Sequence, residues 1–382
     1  MRLFFYVQFI FSAMNLYIFW RMRAAFGPGK WQWAVLLLMA GMVYLFTQRR
    51  AVIGSPWESA VHTVSLLWVG VILITVTWVF ALDAARLASW VVDSLAGTRL
   101  GHFLRPPRSM AFVLGMCLLL SVYAVFEAMS IRTVHLTIPA NKLPPGLNRL
   151  RLVVLSDVHI NGLAGVSFRL NRIVEAAKTT DADILISLGD LADTDMRKKT
   201  REAELLRSIP ARIGKFAVLG NHEAYSGMEN AIRFTEDAGF RVLRSEVARA
   251  GGIDIVGVDD PVFISGGTKE EEAVCRELLH SLGADRETGK FILLLRHRPG
   301  KHVGMAGLFD LQLSGHTHGG QIWPAWIFTK WANGFSSGMA VVHGEHGTSR
   351  MYVSRGSGAW GPPMRLFTPP EVTVIDLERP HK

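Results

Sequence analysis

Residues 313–321 of the chain read LSGHTHGGQ, and the interpretation of the whole sequence starts from this stretch. The short apolar run at residues 308–313 leads into it and predicts the end of a buried strand. His316 and His318 follow, two residues apart, in a turn whose glycines permit a tight bend. Because neutral imidazole is the commonest metal ligand among side chains, this turn is either a metal site or a polar turn with incidental histidines.

The composition favours a protein with a membrane part and at least one further domain. The chain has 382 residues, of which 49% are hydrophobic and only 19% charged, and the apolar excess is concentrated before about residue 130. The net charge is +9, but many basic residues lie beside apolar runs, and no long basic stripe is interleaved with aromatic residues. We therefore predict no binding to nucleic acid. Cys117 lies in an apolar run and Cys275 in a helical pattern, which supports neither a disulfide framework nor a thiolate zinc site.

Four apolar runs predict a membrane domain over residues 1–130, with about four transmembrane helices. The runs occupy residues 4–20, 31–46, 65–82 and 110–129, and tryptophans lie near their ends, as they do at membrane interfaces. A spanning helix needs roughly 17–25 mostly apolar residues, which the third and fourth runs satisfy well and the first two satisfy at the short end. The alternative for the first run is a cleaved signal peptide. Three further runs and the lack of a small-residue cleavage site argue against it.

The distribution of basic residues predicts the orientation of these spans. Seven lie in the loops after the first and third runs, and five, including Arg49 and Arg50, lie on the opposite side. Because cytoplasmic loops carry the excess of basic residues, residues from 131 onward are predicted to be extracytoplasmic. The expected location is a bacterial-type plasma or inner membrane, which a multi-pass protein of this kind would cross four times.

From residue 150 onward the pattern becomes that of an α/β protein. Short apolar runs alternate with helical ones, which indicates a sheet with helices packed on it. Strands are predicted at residues 152–155, 184–188, 216–219, 253–258, 291–295 and 311–313, and helices at 166–178, 200–208, 228–238 and 269–282. An edge strand at 133–138 precedes them, and a β-rich set at 340–343, 351–354 and 372–377 follows. We predict a second domain over residues 131–382.

Five of the predicted strands end in residues that can bind a metal ion. In chain order these residues are Asp157 and His159, then Asp190, then Asn221 and His222, then His297, and finally His316 and His318. Ligand sites of open α/β sheets lie outside the carboxyl ends of the strands, so these side chains predict one site.

The residue types indicate the chemistry of such a site. Oxygen and imidazole ligands suit divalent manganese, iron or zinc. Two ions about 3.5–4 Å apart can bind both the attacking and the leaving oxygen of a phosphoester displacement, and water bound to them becomes a nucleophile near neutral pH. A separate acid, for which histidine is suited, protonates the departing alkoxide.

The same residues, in order and correctly spaced, resemble the five motifs of the calcineurin-like metallophosphoesterases over about residues 131–382. The tail, at residues 352–356, 363–365 and 369–371, resembles the membrane-anchored branch of that family, namely the transmembrane proteins with a metallophosphoesterase domain and their bacterial relatives. The resemblance implies a β-sandwich flanked by helices, in αββα layers, within the α/β class.

The resemblance also implies roles for individual residues. One metal ion would be held by Asp157, His159, Asp190 and His318, and the other by Asp190, Asn221, His297 and His316. Asp190 would bridge the two ions, and His222 would donate a proton to the leaving group instead of binding metal. Arg296 and Arg298 flank His297, where relatives vary and often carry small or polar residues, so the charge near the substrate differs.

Several nearby residues are predicted to have simpler roles. Glu223 is expected to start a helix or support the ligands, and Asp193 and Asp195 are expected to be solvated loop acids. Three tryptophans follow the histidine turn: Trp323, Trp326 and Trp331. Their alternative roles are core packing, an apolar lip over the site, and contact with the bilayer.

The expected function is a membrane-anchored, two-metal phosphoesterase of the phosphodiesterase type. Its expected partners are the bilayer and a lipid-linked or membrane-adjacent phosphoester or pyrophosphate, which would place it in lipid metabolism. The family includes a hydrolase of lipid A synthesis, so a UDP-diacylglucosamine-type precursor is an alternative substrate, although that reaction lies on the cytoplasmic face. The alternative function is a metal-binding sensor or transport-associated protein without turnover, against which the presence of His222 argues. The oligomeric state and the choice between monoesters and diesters stay open at this point.

Overall fold

A computed structural model describes residues 2–47, 56–163, 165–283, 289–300 and 303–380. Arg49 and Arg50, which entered the prediction of orientation, lie outside the described residues. The chain divides into two compact units. One consists of Met1–Glu127 with Ile322–Pro324 and Gly361–Phe367, and the other contains the rest of the chain. The domain limits at residues 130 and 131 stay a prediction.

The first unit, called the helical unit below, contains four α-helices. These are α1 (Arg2–Phe26), α2 (Trp31–Thr47), α3 (Pro56–Ala96) and α4 (Arg108–Met129). Each predicted apolar run lies in one of them. Among the described residues, α3 and α4 are long and apolar enough to cross a membrane, whereas the apolar part of α2 is shorter. Four spans, and the orientation derived from them, therefore stay a prediction.

The two later segments of the chain form part of the core of the helical unit. Ile322 and Met364 are buried in the same apolar cluster as side chains of α3 and α4. Trp323 stacks on Trp78 of α3 with ring centroids 5.5 Å apart, and its backbone N–H donates to the carbonyl of Leu366 at 3.1 Å. Core packing, one of the three alternatives for the tryptophans, is therefore correct for Trp323.

The second unit contains two six-stranded sheets and six α-helices among its described residues. The strands are β1 (Arg132–Pro139), β2 (Arg149–Leu155), β3 (Ile184–Ser187), β4 (Gly214–Ala217), β5 (Arg241–Val242), β6 (Glu246–Ala250), β7 (Ile253–Val258), β8 (Ile292–Arg296), β9 (Leu311–Ser314), β10 (Gly338–Gly344), β11 (Gly347–Val353) and β12 (Glu371–Glu378). The helices are α5 (Val166–Lys178), α6 (Thr200–Arg207), α7 (Asn221–Ser226), α8 (Met228–Asp237), α9 (Thr268–Gly283) and α10 (Trp326–Asn333).

The sheets pack face to face and carry helices on their outer faces. The first sheet has the strand order β1-β12-β2-β3-β4-β5 and the second β10-β11-β9-β8-β7-β6. One apolar cluster contains residues of both sheets, such as Leu152, Ile186, Ile255 and Leu295. A second cluster joins the first sheet to α5, α6 and α8, and a third joins the second sheet to α9. The predicted α/β class and the αββα layers are confirmed.

The parallel strands explain why the sequence pattern located most elements correctly. Buried on both faces, they read as continuous apolar runs, and their bounds differ from prediction by only a few residues. The pattern did not predict β5, β6, α7 or α10. These elements are short, and β6 is a partly exposed edge strand of sequence EVARA that carries charges, so no apolar run marks it.

The buried ion pair between Arg296 of β8 and Glu271 of α9 provides a test of how α9 is held on its sheet. Glu271→Gln should destabilise the protein by about 3–5 kcal/mol, because it leaves a buried guanidinium without its counter-charge. Thermal unfolding of the full chain in detergent measures the loss. The matched control is Glu246→Gln in the exposed pair with Arg241, which should cost about 1 kcal/mol or less. Equal costs for the two variants would contradict this assignment.

Candidate metal centre

The residues that follow five strands meet at one edge of the sandwich. Asp157 and His159 follow β2, and Asp190 follows β3. Asn221 begins α7 after β4, and His222 comes next to it. The remaining predicted residues follow β8 and β9 on the second sheet: His297, His316 and His318. Because the strands that precede these residues run in parallel within each sheet, their ends bring distant parts of the chain together.

The ligand atoms form groups close enough to share a metal ion. Asp157, His159 and His318 make one such group, in which the Nε2 atoms of the two histidines are 3.0 Å apart. Asp190, His297 and His316 make another, in which Nδ1 of His316 is 3.2 Å from Nε2 of His297. Within each group the offered atoms lie within 4.8 Å of one another.

Asp190 lies between the two groups. Its Oδ2 atom is 3.2 Å from Nε2 of His297 and 3.8 Å from Nε2 of His159. A single carboxylate oxygen thus faces an imidazole of each group, which is the position that a bridging ligand requires. His159, Asp190 and His222 form a third close group. The assignment of the individual ligands stays a prediction.

The polar atoms of the site fit divalent cations. The Oδ1 atom of Asn221 is buried and has no hydrogen-bond partner among the described residues, which is costly unless a cation satisfies it. His297 donates its Nδ1 hydrogen to the carbonyl of Leu188 at 2.7 Å, so its Nε2 atom faces Asp190 and would be available to a cation once it is deprotonated. Imidazole nitrogens 3.0 Å apart, as in His159 and His318, repel each other unless a proton or a cation lies near both. Oxygen and nitrogen donors without a thiolate suit manganese, iron or zinc.

Left-handed backbone conformations distinguish the predicted ligands. Five of them have φ between 51° and 70°: Asp157, His159, Asp190, His316 and His318. This region is uncommon for residues other than glycine, and each such residue costs roughly 1–3 kcal/mol unless its surroundings impose it. Strain of this kind clusters at functional sites, so the backbone itself marks this edge of the sheets.

Gly315 allows the histidine turn to approach the first ligand strand. A Cβ atom at this position would overlap the side chains of Ser156 and Asp157. With hydrogen there, the backbone N–H of His316 donates to both carboxylate oxygens of Asp157, at 3.0 and 3.1 Å. The turn between β9 and α10 is thereby tied to the end of β2.

The charges of the site hold its donors in different protonation states. Burial alone would raise the pKa of Asp190, but the charge and hydrogen bond of His297 outweigh it and hold that pKa well below the usual range. Burial alone would lower the pKa of His297, but Asp190 and Asp157 raise it to about 10. Burial and the neighbouring charge of His297 lower the pKa of His316 to about 3. His316 therefore offers a free lone pair at neutral pH, whereas His297 must lose a proton before it can bind metal.

The prediction that Asp193 is a solvated loop acid is wrong. Its side chain is only 16% exposed, and its Oδ1 atom accepts a hydrogen bond from Nδ1 of His222 at 2.6 Å. Burial would lower the pKa of His222, but this hydrogen bond, with the charge of Asp190, raises it. The sequence carried a signal for this role of Asp193, because a histidine that donates a proton needs a carboxylate partner to orient its ring. Asp195, by contrast, is exposed and pairs with Arg197.

Glu223 stabilises the backbone of the loops that carry the proposed ligands after β3 and β4. Its carboxylate accepts from the backbone N–H groups of Gly220 at 2.8 Å and of Asp190 and Ala192 at 3.0 Å each. Burial and the charge of Asp190 raise the pKa of Glu223 to about 7. One carboxyl group thus fixes the loops after β3 and β4, which is the supporting role predicted for it.

The two arginines beside His297 have different environments. Arg296 is buried and pairs with Glu271, away from solvent. Arg298 is partly exposed, and its Nε donates to the buried carboxylate of Asp260 at 2.7 Å. Its charge helps to lower the pKa of His316, so Arg298 is the arginine that affects the site.

Comparisons with known proteins agree with this geometry. A model of the calcineurin-like phosphoesterase family matches residues 150–320. An uncharacterized metallophosphoesterase of Aquifex aeolicus is 32% identical over 270 residues, which cover 69% of this chain and 98% of that protein. An uncharacterized metallophosphoesterase of Campylobacter jejuni is 27% identical over 385 residues, which cover 98% of this chain and 97% of the relative.

A vertebrate relative is named for both a transmembrane part and a metallophosphoesterase domain. The transmembrane protein with metallophosphoesterase domain of Danio rerio is 31% identical over 284 residues, covering 71% of this chain and 63% of the relative. That relative is named as a transmembrane protein, and helices α3 and α4 of this chain are long and apolar enough to cross a membrane. With five strand ends converging on oxygen and imidazole donors, the chain belongs to the calcineurin-like metallophosphoesterase family and is a metal-dependent phosphoester hydrolase.

Proposed function

We propose that this protein is a membrane-anchored phosphoesterase that uses two divalent ions to hydrolyse a phosphoester or pyrophosphate bond in a lipid-linked or membrane-adjacent substrate. The observation that supports it most directly is the position of Asp190, whose Oδ2 atom faces an imidazole of each ligand group. Helices α3 and α4, and relatives named as transmembrane proteins, support the membrane part of the proposal.

The proposed ligands divide into two sets that share Asp190. The first set is Asp157, His159, Asp190 and His318, and the second is Asp190, Asn221, His297 and His316. When bound, manganese, iron or zinc would activate water and neutralise the charge of the phosphoryl oxygens. Asp190 and Asp157 would supply the negative charge that offsets the two cations, and the imidazoles would bind them without adding charge.

His222 is proposed to donate the proton that the leaving oxygen requires. In hydrolysis a water oxygen bonds to phosphorus, the bond from phosphorus to the leaving oxygen breaks, and that oxygen takes up a proton. The hydrogen bond from Nδ1 to Asp193 fixes the ring and leaves Nε2 as the donating atom. The hydrogen bond to Asp193 and the charge of Asp190 raise the pKa of His222, which favours the protonated form that a general acid requires. A metal-binding protein without turnover would have no use for this His222–Asp193 pair.

The bridging role of Asp190 is tested by Asp190→Asn, which keeps the shape of the side chain and removes its charge. We expect metal content measured by mass spectrometry to fall, and activity on bis-p-nitrophenyl phosphate to drop by more than roughly 100-fold. The matched control is Asp195→Asn, since Asp195 is exposed and pairs with Arg197. A variant at Asp190 that keeps full metal content and full activity would remove the basis of the two-metal proposal.

The role of His222 is tested by His222→Ala. We expect kcat to fall by about 10²–10⁴-fold on an alkyl phosphodiester, whose leaving oxygen needs a proton, and by less on a p-nitrophenyl ester. Metal content should not change, and His343→Ala, at an exposed histidine of β10, serves as the control. Loss of metal would instead make His222 a ligand, and unchanged activity would show that it is not the acid.

Metal uptake should depend on pH through His297. Its pKa of about 10 means that the metal-free protein holds a proton on this ring at pH 7.5, and ligation requires its removal. Titration calorimetry in two buffers of different ionisation enthalpy should therefore detect release of roughly one proton, with affinity that increases as the pH is raised. His297→Gln should remove this release. Proton release that is the same in the variant would contradict the assignment.

A further inference from the structure

Helix α10, with sequence WIFTKWAN, presents an apolar surface that the rest of its unit does not cover. None of its residues is buried. Trp331 is 86% exposed and Phe328 is 70% exposed, and Trp326 and Ile327 are exposed as well. Core packing is therefore wrong for Trp326 and Trp331, although it is correct for Trp323. Exposed apolar patches of this kind mark interaction sites.

The position of α10 in the chain indicates what covers this surface. Ile322–Pro324, immediately before it, belong to the helical unit, where Trp323 stacks on Trp78 of α3. Consecutive Cα atoms are about 3.8 Å apart, so Trp326 begins within roughly 8 Å of Pro324. Trp323 packs on α3, which is long and apolar enough to cross a membrane, and only two peptide bonds separate the start of α10 from Pro324.

The composition of α10 is that of a helix at a membrane interface. Tryptophan and phenylalanine are enriched where apolar side chains meet lipid headgroups, and such helices carry basic residues on their polar side. Lys330 is exposed, and α10 contains no acidic residue. The charge of α10 is therefore complementary to anionic phospholipids. A soluble protein partner would not explain this composition as simply.

We propose that the exposed apolar surface of α10 lies in the interfacial region of the lipid bilayer. His318, a proposed metal ligand, precedes the segment Ile322–Pro324 of the helical unit by four residues, and α10 begins two residues after that segment. The metal-binding turn is thus connected through the chain to a membrane-bound helix, which would restrict hydrolysis to phosphoesters carried by lipids in that surface. This consequence for the substrate rests on the proposed function, whereas the contact of α10 with lipid does not.

Contact with lipid is tested on the full chain with a fluorophore at position 331. Trp331→Cys is labelled with an environment-sensitive dye, because Cys117 and Cys275 are both buried. In vesicles of phosphatidylcholine and phosphatidylglycerol we expect blue-shifted emission that nitroxide-labelled acyl chains quench. The control is Glu277→Cys on the exposed side of α9, which should show neither effect. Equal quenching at the two positions, or none at 331, would overturn the proposal.

Single-copy nanodiscs separate the bilayer from a second copy of this chain as the occupant. If lipid covers α10, the blue shift at position 331 persists in discs that hold one protein each. If the blue shift is absent in discs with one protein and appears only when several copies share a membrane, the surface is a contact between copies and the proposal fails.

The consequence for the substrate is tested by the double substitution Phe328→Ser with Trp331→Ser. With manganese present, we expect hydrolysis of phosphatidyl-p-nitrophenol in vesicles to fall roughly tenfold. Hydrolysis of soluble bis-p-nitrophenyl phosphate should stay within about twofold, because no residue of α10 is buried. Phe168→Ser, at an exposed phenylalanine of α5, is the matched control. Equal losses on both substrates would overturn the inference, whereas wild-type protein inactive on both would overturn the proposed function and leave the quenching result standing.

Discussion

The structure depends on a buried carboxylate that cannot stay ionised without positive charge around it. Asp190 is almost fully buried, and removal of an ionised group from water is costly unless the group is paired. Here the compensation comes from His297 and His159, which follow other strands, and bound cations would add to it. Because His159 follows β2 and His297 follows β8, the charge of one side chain requires the ends of both sheets to be assembled.

The sandwich meets this requirement by making its strand ends rigid and its loops tight. Apolar strands buried on both faces hold the ends in place, and the polar atoms begin where the strands stop. Glu223 then ties the backbone of two loops together with three hydrogen bonds. Five proposed ligands adopt a left-handed backbone conformation, which is strained and which turns their side chains toward one point. The packing around them maintains this conformation.

The order of the chain connects this site with the helical unit. The chain enters that unit at Ile322–Pro324, leaves it for α10, and returns at Gly361–Phe367. The first of these passages follows His318 closely, and the second follows Trp360, whose ring lies 5.7 Å from that of His222. Chain connections of this kind agree with the proposed action on lipid-borne phosphoesters.

Much of this protein is determined by the sequence alone. Apolar runs that end in Asp157, Asp190 and His316 predicted the strands, their class and the candidate ligands, because burial on both faces leaves a continuous apolar signature and polar residues at its end are conspicuous. The role of Asp193 and the exposure of Trp326 were decided only by the tertiary structure. Both depend on which distant groups lie nearby: His222 contacts Asp193, whereas too little of the unit packs on Trp326 to bury it. The local sequence carries no information about contacts between residues that are far apart in the chain.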